Sequence, residues 1–193
     1  MDDATGNARA PELGLTPAEL AEWTPQLSDG TVSALLANLI RFEDALAELP
    51  AGAAEARTDS GAPPGAGLTG AEVLNAADLR FINLVAVRRF TEVDQPPPPE
   101  GLEEALDARS GSTAFTHAAS LAAALLDRHV FGAAPQHTAL LAMCCQLELD
   151  GYQLLAPQGV AAGMIRGVAA GEVDVDTVAR WLEDRAVQTR FPA

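Results

Sequence analysis

Lysine is missing from this sequence: all twelve basic residues among its 193 are arginine. That absence excludes a P-loop lysine, a Schiff-base enzyme and a lysine general base. Cations are scarce altogether. Against 27 Asp and Glu they leave a formal net charge of −15, which repels nucleic-acid backbones and anionic membrane surfaces unless arginines cluster, and here they are scattered. Neither nucleic acid nor membrane is an expected partner. Cysteine is confined to the adjacent pair Cys144 and Cys145. Adjacent cysteines rarely bond to each other, so a reduced, cytoplasmic protein is the expectation. No apolar run approaches the roughly 18 residues of a membrane helix, and Met1–Thr5 does not open a basic-then-apolar leader. Aromatic residues make up only 5% of the chain. The core must therefore come from Ala, Leu and Val, which favours close-packed helices over sheets.

What is present fits one compact body. Hydrophobic residues are 48% and charged residues 20%, a globular balance, and the length suits one ordinary domain. Residues 1–14 are polar and punctuated by Gly and Pro, as in a loose arm. Thr16-Pro17-Ala18-Glu19 opens a short helix, with Thr16 as cap, Pro17 in the first turn and Glu19 closing a capping box. Apolar spacing predicts a longer helix over 31–49. Residues 50–67 carry almost no large apolar side chain and have the composition of a linker. A capping box at Thr69–Glu72 predicts a helix to about Phe90. Pro96–Pro99 enforce an extended connector. Helices are then expected near 100–108, 113–129, from Pro135 to Asp150, 158–170 and 175–187, the last capped by Asp174. Tyr152–Ala156 is extended, and no strand pair is evident. The class is all-α, divided into an N-terminal arm, helices and linker (1–67) and a helical domain (68–193).

Several segments of the second region, in order and spacing, resemble the Fic/Doc family, in particular its Doc (death-on-curing) branch. Gly101–Leu106 resembles a GLLESAL-type segment. The run His129-Val130-Phe131-Gly132-Ala133-Ala134-Pro135-Gln136-His137-Thr138-Ala139-Leu140 resembles the Doc signature H-P-F-x-D-G-N-K-R-T-A-L. Leu149-Asp150-Gly151-Tyr152-Gln153-Leu154 resembles a hydrophobic-N-G-Y-x-L segment, and Val168–Asp174 with Trp181-Leu182 resembles an A-x-G-x-x-D…W-L ending. The resemblance covers roughly 115 residues, from Leu68 to about Glu183. It implies a compact all-helical domain with the signature between two central helices. Active members move part of a nucleotide onto a protein hydroxyl. Fic enzymes usually transfer AMP, and Doc phosphorylates a threonine of a translation elongation factor. In both, the resemblance implies a signature His that deprotonates the target, followed by a loop and helix N-terminus that bind phosphates.

His129, Phe131, Thr138, Ala139 and Leu140 are retained from that signature, and His129 is the one chemical group among them. An imidazole, titrating near 6.5 when free, suits acid–base work at neutrality. The losses fall on phosphate chemistry. Ala133 stands where a metal-associated Asp or Glu would be. Ala134 replaces a glycine. Pro135 replaces Asn and removes an N–H donor from the helix start. Gln136 and His137 replace the two cations. Losing two charge-assisted hydrogen bonds weakens phosphate binding by roughly 3–6 kcal/mol, on the order of 10²–10⁴-fold.

Three functions follow. The first is a repurposed small-molecule enzyme, with His129 as acid/base and Phe131, Ala133, Ala134, Gln136 and His137 against the substrate. The second is a catalytically silent relative acting through protein contacts. The third is a divergent toxin that transfers a phosphoryl or nucleotidyl group. No cofactor is expected, ATP and Mg²⁺ entering only under the third. A small molecule or a protein is the expected partner, and homo-oligomerisation is compatible with all three. Plainer roles are packing for Cys144, Cys145, Tyr152 and Trp181. His117, His129 and His137 lack the spacing of a zinc site.

Overall fold

The computed structural model describes residues 10–51, 73–109 and 111–189. Nine α-helices and a two-stranded sheet make up these residues: α1 (Pro17–Trp23), α2 (Thr31–Arg41), α3 (Glu43–Ala47), α4 (Ala76–Phe90), α5 (Leu102–Asp107), α6 (Ala114–Asp127), α7 (Pro135–Leu149), β1 (Tyr152–Leu154), α8 (Gln158–Ala170), α9 (Val175–Arg185) and β2 (Ala186–Gln188). The class is all-α. No helix among the described residues is long and apolar enough to cross a membrane.

Helix α7 is the axis of the fold. Fourteen of its fifteen residues are buried, and α2, α4, α6 and α8 pack around it. A helix covered on every side needs no polar face, so apolar and small residues run all round it. Helix α6 follows the same logic. Ten consecutive residues, His117 to Leu126, are buried, and the many alanines among them let helices approach closely. The expected caps of α1 and α9 form: Thr16 and Glu19 close a reciprocal box, and Asp174 accepts from the Thr177 N–H. Thr113 caps α6.

Five expectations change. The helix predicted over 31–49 breaks at Phe42 (φ −114°, ψ 26°). Phe42 is fully buried, and the break turns α3 away from α7 onto α8, where the Gln158 side chain accepts the Ala45 N–H at 3.0 Å. The helix expected from Thr69–Glu72 begins at Ala76, because Asn75 and Asp78 form the reciprocal capping box; Thr69–Glu72 lie outside the described residues, as does most of the 50–67 linker. Residues 10–14 are not loose: Ala10 and Leu13 are fully buried. The helix expected over 113–129 stops at Asp127, since His129 turns left-handed. The last helix stops at Arg185, where the backbone turns extended, and β2 pairs antiparallel with β1, Gln153 opposite Val187. Three-residue strands leave too little alternation to be seen in sequence.

Buried Asp78 joins the N-terminal helices to the rest. Beyond its own helix cap it accepts from the Ser28 N–H at 2.9 Å, the Ser28 hydroxyl at 2.7 Å and the Thr31 hydroxyl at 2.9 Å. Four donors around one carboxylate replace the water it lost on burial.

Candidate functional site

The turn between α6 and α7 carries most of the residues singled out from sequence. Helix α6 ends in a Schellman motif: His129 donates its N–H to the Leu126 carbonyl at 3.1 Å, and Val130 donates to Leu125 at 3.2 Å. The residue in the middle of such a motif must take the left-handed conformation, which normally selects glycine. Helix α8 obeys that rule with Gly171 (φ 77°), which donates to Val168 while Glu172 donates to Gly167. At the end of α6 the same place is held by His129, at φ 50°. The imidazole is half-buried.

The following loop is clamped. Ala134 also lies left-handed (φ 50°, ψ 41°) and starts α7 without a side-chain cap. Its N–H reaches the Ala51 carbonyl at 3.1 Å. Asn83, fifty residues earlier on α4, places its Nδ2 2.8 Å from the Ala133 carbonyl and 2.9 Å from the Thr138 hydroxyl. The Thr138 hydroxyl donates in turn to the Ala134 carbonyl at 2.9 Å. The connector is joined to the turn as well, since Glu100 donates its N–H to the Val130 carbonyl at 3.0 Å.

Beside this clamp runs a groove of about 350 Å³. One wall is α1, through Glu19, Glu22 and Trp23, and the other is α4, through Arg80, Asn83, Leu84 and Arg88. Gln95, Pro96–Pro99 and Phe131 complete it. Arg80, Leu84 and Arg88 recur every four residues, so they share one helix face. Trp23 is braced by Phe81, ring centroids 5.8 Å apart. Arg88 places Nη2 3.2 Å from a Glu19 carboxylate oxygen across the groove. The Glu19 carboxyl is held below its ordinary range, chiefly by hydrogen bonds from Thr16, with Arg88 adding to the effect.

The structure thus brings Phe131 to the groove and sets His129 two residues ahead of it. Ala133 and Ala134 lie buried in the clamp. Gln136 and His137 are not brought there: both are buried in the first turn of α7, 6% and 1% exposed. The His137 ring stacks on Phe90 at 4.8 Å. Burial pushes its pKa down to about 4, a hydrogen bond to the Leu46 backbone opposing the shift only in part. His117, also buried, is lowered by burial and then by the nearby Arg109 charge. Burial raises the Cys144 and Cys145 thiols far above their usual range, which suits packing and not nucleophilic attack. Among the described residues no three His, Cys, Asp or Glu side chains group so as to hold a metal ion.

Asn83, Trp23, Arg80 and Arg88 were not legible as site residues. A lone Asn in the stretch Phe81–Val87 was a signal for the first of them, because a polar residue on a buried helix face must find partners. Comparison with family models, curated proteins and solved structures finds no match for this chain.

Proposed function

We propose that this chain is a divergent relative of the Fic/Doc proteins that has exchanged nucleotide transfer for the chemistry of a small organic molecule, with His129 as its proton-transfer group. One observation carries the reading: His129 holds a left-handed position that glycine fills at the end of α8. A side chain there costs roughly 1 kcal/mol or more. An imidazole kept against that cost is accounted for by what the imidazole does.

The surroundings support an uncharged or weakly charged substrate. The neighbouring groove is walled by Trp23, Leu84, Phe131 and prolines, and its Arg88 pairs with Glu19 through Nη2. The loop that would cradle phosphates in the family is drawn onto Asn83 and Ala51. Ala133 and Pro135 supply neither a metal ligand nor a cation. A protein-contact role draws instead on Leu155, just after β1, and Val187 in β2, 53% and 43% exposed.

Two measurements test the proposal. Cells expressing wild type or His129→Gln are compared by untargeted metabolite profiling. A small molecule consumed or formed only with wild type is the expected result, and identical profiles contradict it. Thermal unfolding with millimolar ATP and Mg²⁺ is expected to show no stabilisation; a saturable rise in Tm would return the chain to nucleotide transfer.

A further inference from the structure

We infer that the groove between α1 and α4 captures its ligand through a hydrogen-bond donor, an N–H or O–H on a compact apolar molecule, delivered to the side-chain oxygen of Asn83. This rests on the small-molecule reading and names the chemistry of the ligand.

Asn83 is 2% exposed, yet it lines the groove. The two groups at its Nδ2 decide its orientation. The Ala133 carbonyl, 2.8 Å away, can only accept. The Thr138 hydroxyl, 2.9 Å away, has spent its hydrogen on the Ala134 carbonyl, so it accepts too. Two acceptors at one end of an amide require the NH₂ there, since the flipped amide would set oxygen against oxygen. Oδ1 therefore takes the other end. It has no hydrogen-bond partner among the described residues, and it is not fully buried. The cavity that Asn83 lines is the groove, so the groove presents a fixed, unpaired acceptor.

What surrounds that acceptor sets the rest of the ligand. Trp23, Leu84 and Phe131 offer contact to an apolar or aromatic body. The charged lining residues, Arg80, Arg88, Glu19 and Glu22, cancel in sign; Arg88 engages Glu19 through Nη2, while its buried Nε has no hydrogen-bond partner. An anion would meet the Oδ1 lone pairs and the Glu19 and Glu22 carboxylates; a donor satisfies Oδ1. The volume of about 350 Å³ lies at the small end of ligand pockets. Phosphate chemistry at the α7 N-terminus plays no part in this.

The experiment uses the full ¹⁵N-labelled chain and four probes: indole, 1-methylindole, phenol and anisole. Methylating the probe removes the donor without touching Asn83, whose amide also holds the loop. The side-chain resonances of Asn83 and Trp23 are followed. The expected result is saturable binding that moves both, with indole and phenol binding about 5- to 10-fold tighter than their methylated partners, the worth of one hydrogen bond. Equal affinity within each pair, at the same resonances, overturns the donor inference and leaves the small-molecule site standing. Absence of shifts with all four overturns both. Benzoate or inorganic phosphate displacing indole from these resonances would make this an anion site and also overturns the inference.

Discussion

Asn83 shows how one side chain can serve both structure and site. Its NH₂ ties the Ala133 carbonyl and Thr138 hydroxyl to α4, and the residue also lines the groove. Removing the amide leaves a buried carbonyl without its donor, and such an orphan costs about 1–3 kcal/mol. Asn83→Ala is therefore expected to lower unfolding free energy by about 2 kcal/mol in urea titration and to loosen Ala133 and Ala134 in amide exchange. A loss below about 0.5 kcal/mol, ordinary for a surface change, would show that the loop holds without it. Little of this was visible beforehand. The retained signature residues drew attention to 129–140, but the partner lies fifty positions away, and no local spacing announces a pairing of that range. Gln136 and His137 were expected beside a ligand because the phosphate-binding residues they replace would be there. Apolar side chains on every side of α7 bury them instead.

At the scale of elements, the helices whose ends carry their own chemistry were legible. Thr16 with Pro17 and Glu19, Pro135 and Asp174 all sit at helix starts, since a cap satisfies donors within three residues of itself. The break at Phe42 was not legible, because apolar spacing runs through it and the deciding contact comes from α8. Gln158 accepts the Ala45 N–H at 3.0 Å and reaches Asp44 at 3.2 Å, capping α3 from another helix. Gln158→Ala is expected to cost about 1 kcal/mol, the usual worth of a cap, and to raise exchange of the α3 amides ahead of the α7 amides. If α3 protection is unchanged, burial of Phe42 alone fixes the break. The groove was illegible for a related reason: its walls meet through Glu19 and Arg88, 69 residues apart.

Across the whole molecule, a buried neutral histidine makes stability depend on acidity. His137 in the folded chain titrates near 4, below the roughly 6.5 of an unfolded histidine. Between those values the unfolded chain binds the extra proton, so stability falls as pH drops from about 6.5 toward 4. The loss from this group approaches about 2–3 kcal/mol, and His117, lowered in the same direction, adds to it. Urea midpoints at pH 7 and pH 4.5 should separate in wild type and draw closer in His137→Phe, which keeps the ring stacked on Phe90. An unchanged separation would place the acid sensitivity elsewhere. The proposed chemistry turns on why an imidazole occupies the left-handed place at the end of α6. Equilibrium unfolding of His129→Gly beside wild type asks this directly. A gain of about 0.5–1 kcal/mol, the relief of a left-handed side chain, is the expected result and means that the fold bears His129 at a cost. A loss of about 1 kcal/mol or more would mean that the imidazole is there to hold the turn together, and the proposed chemistry would lose its foundation.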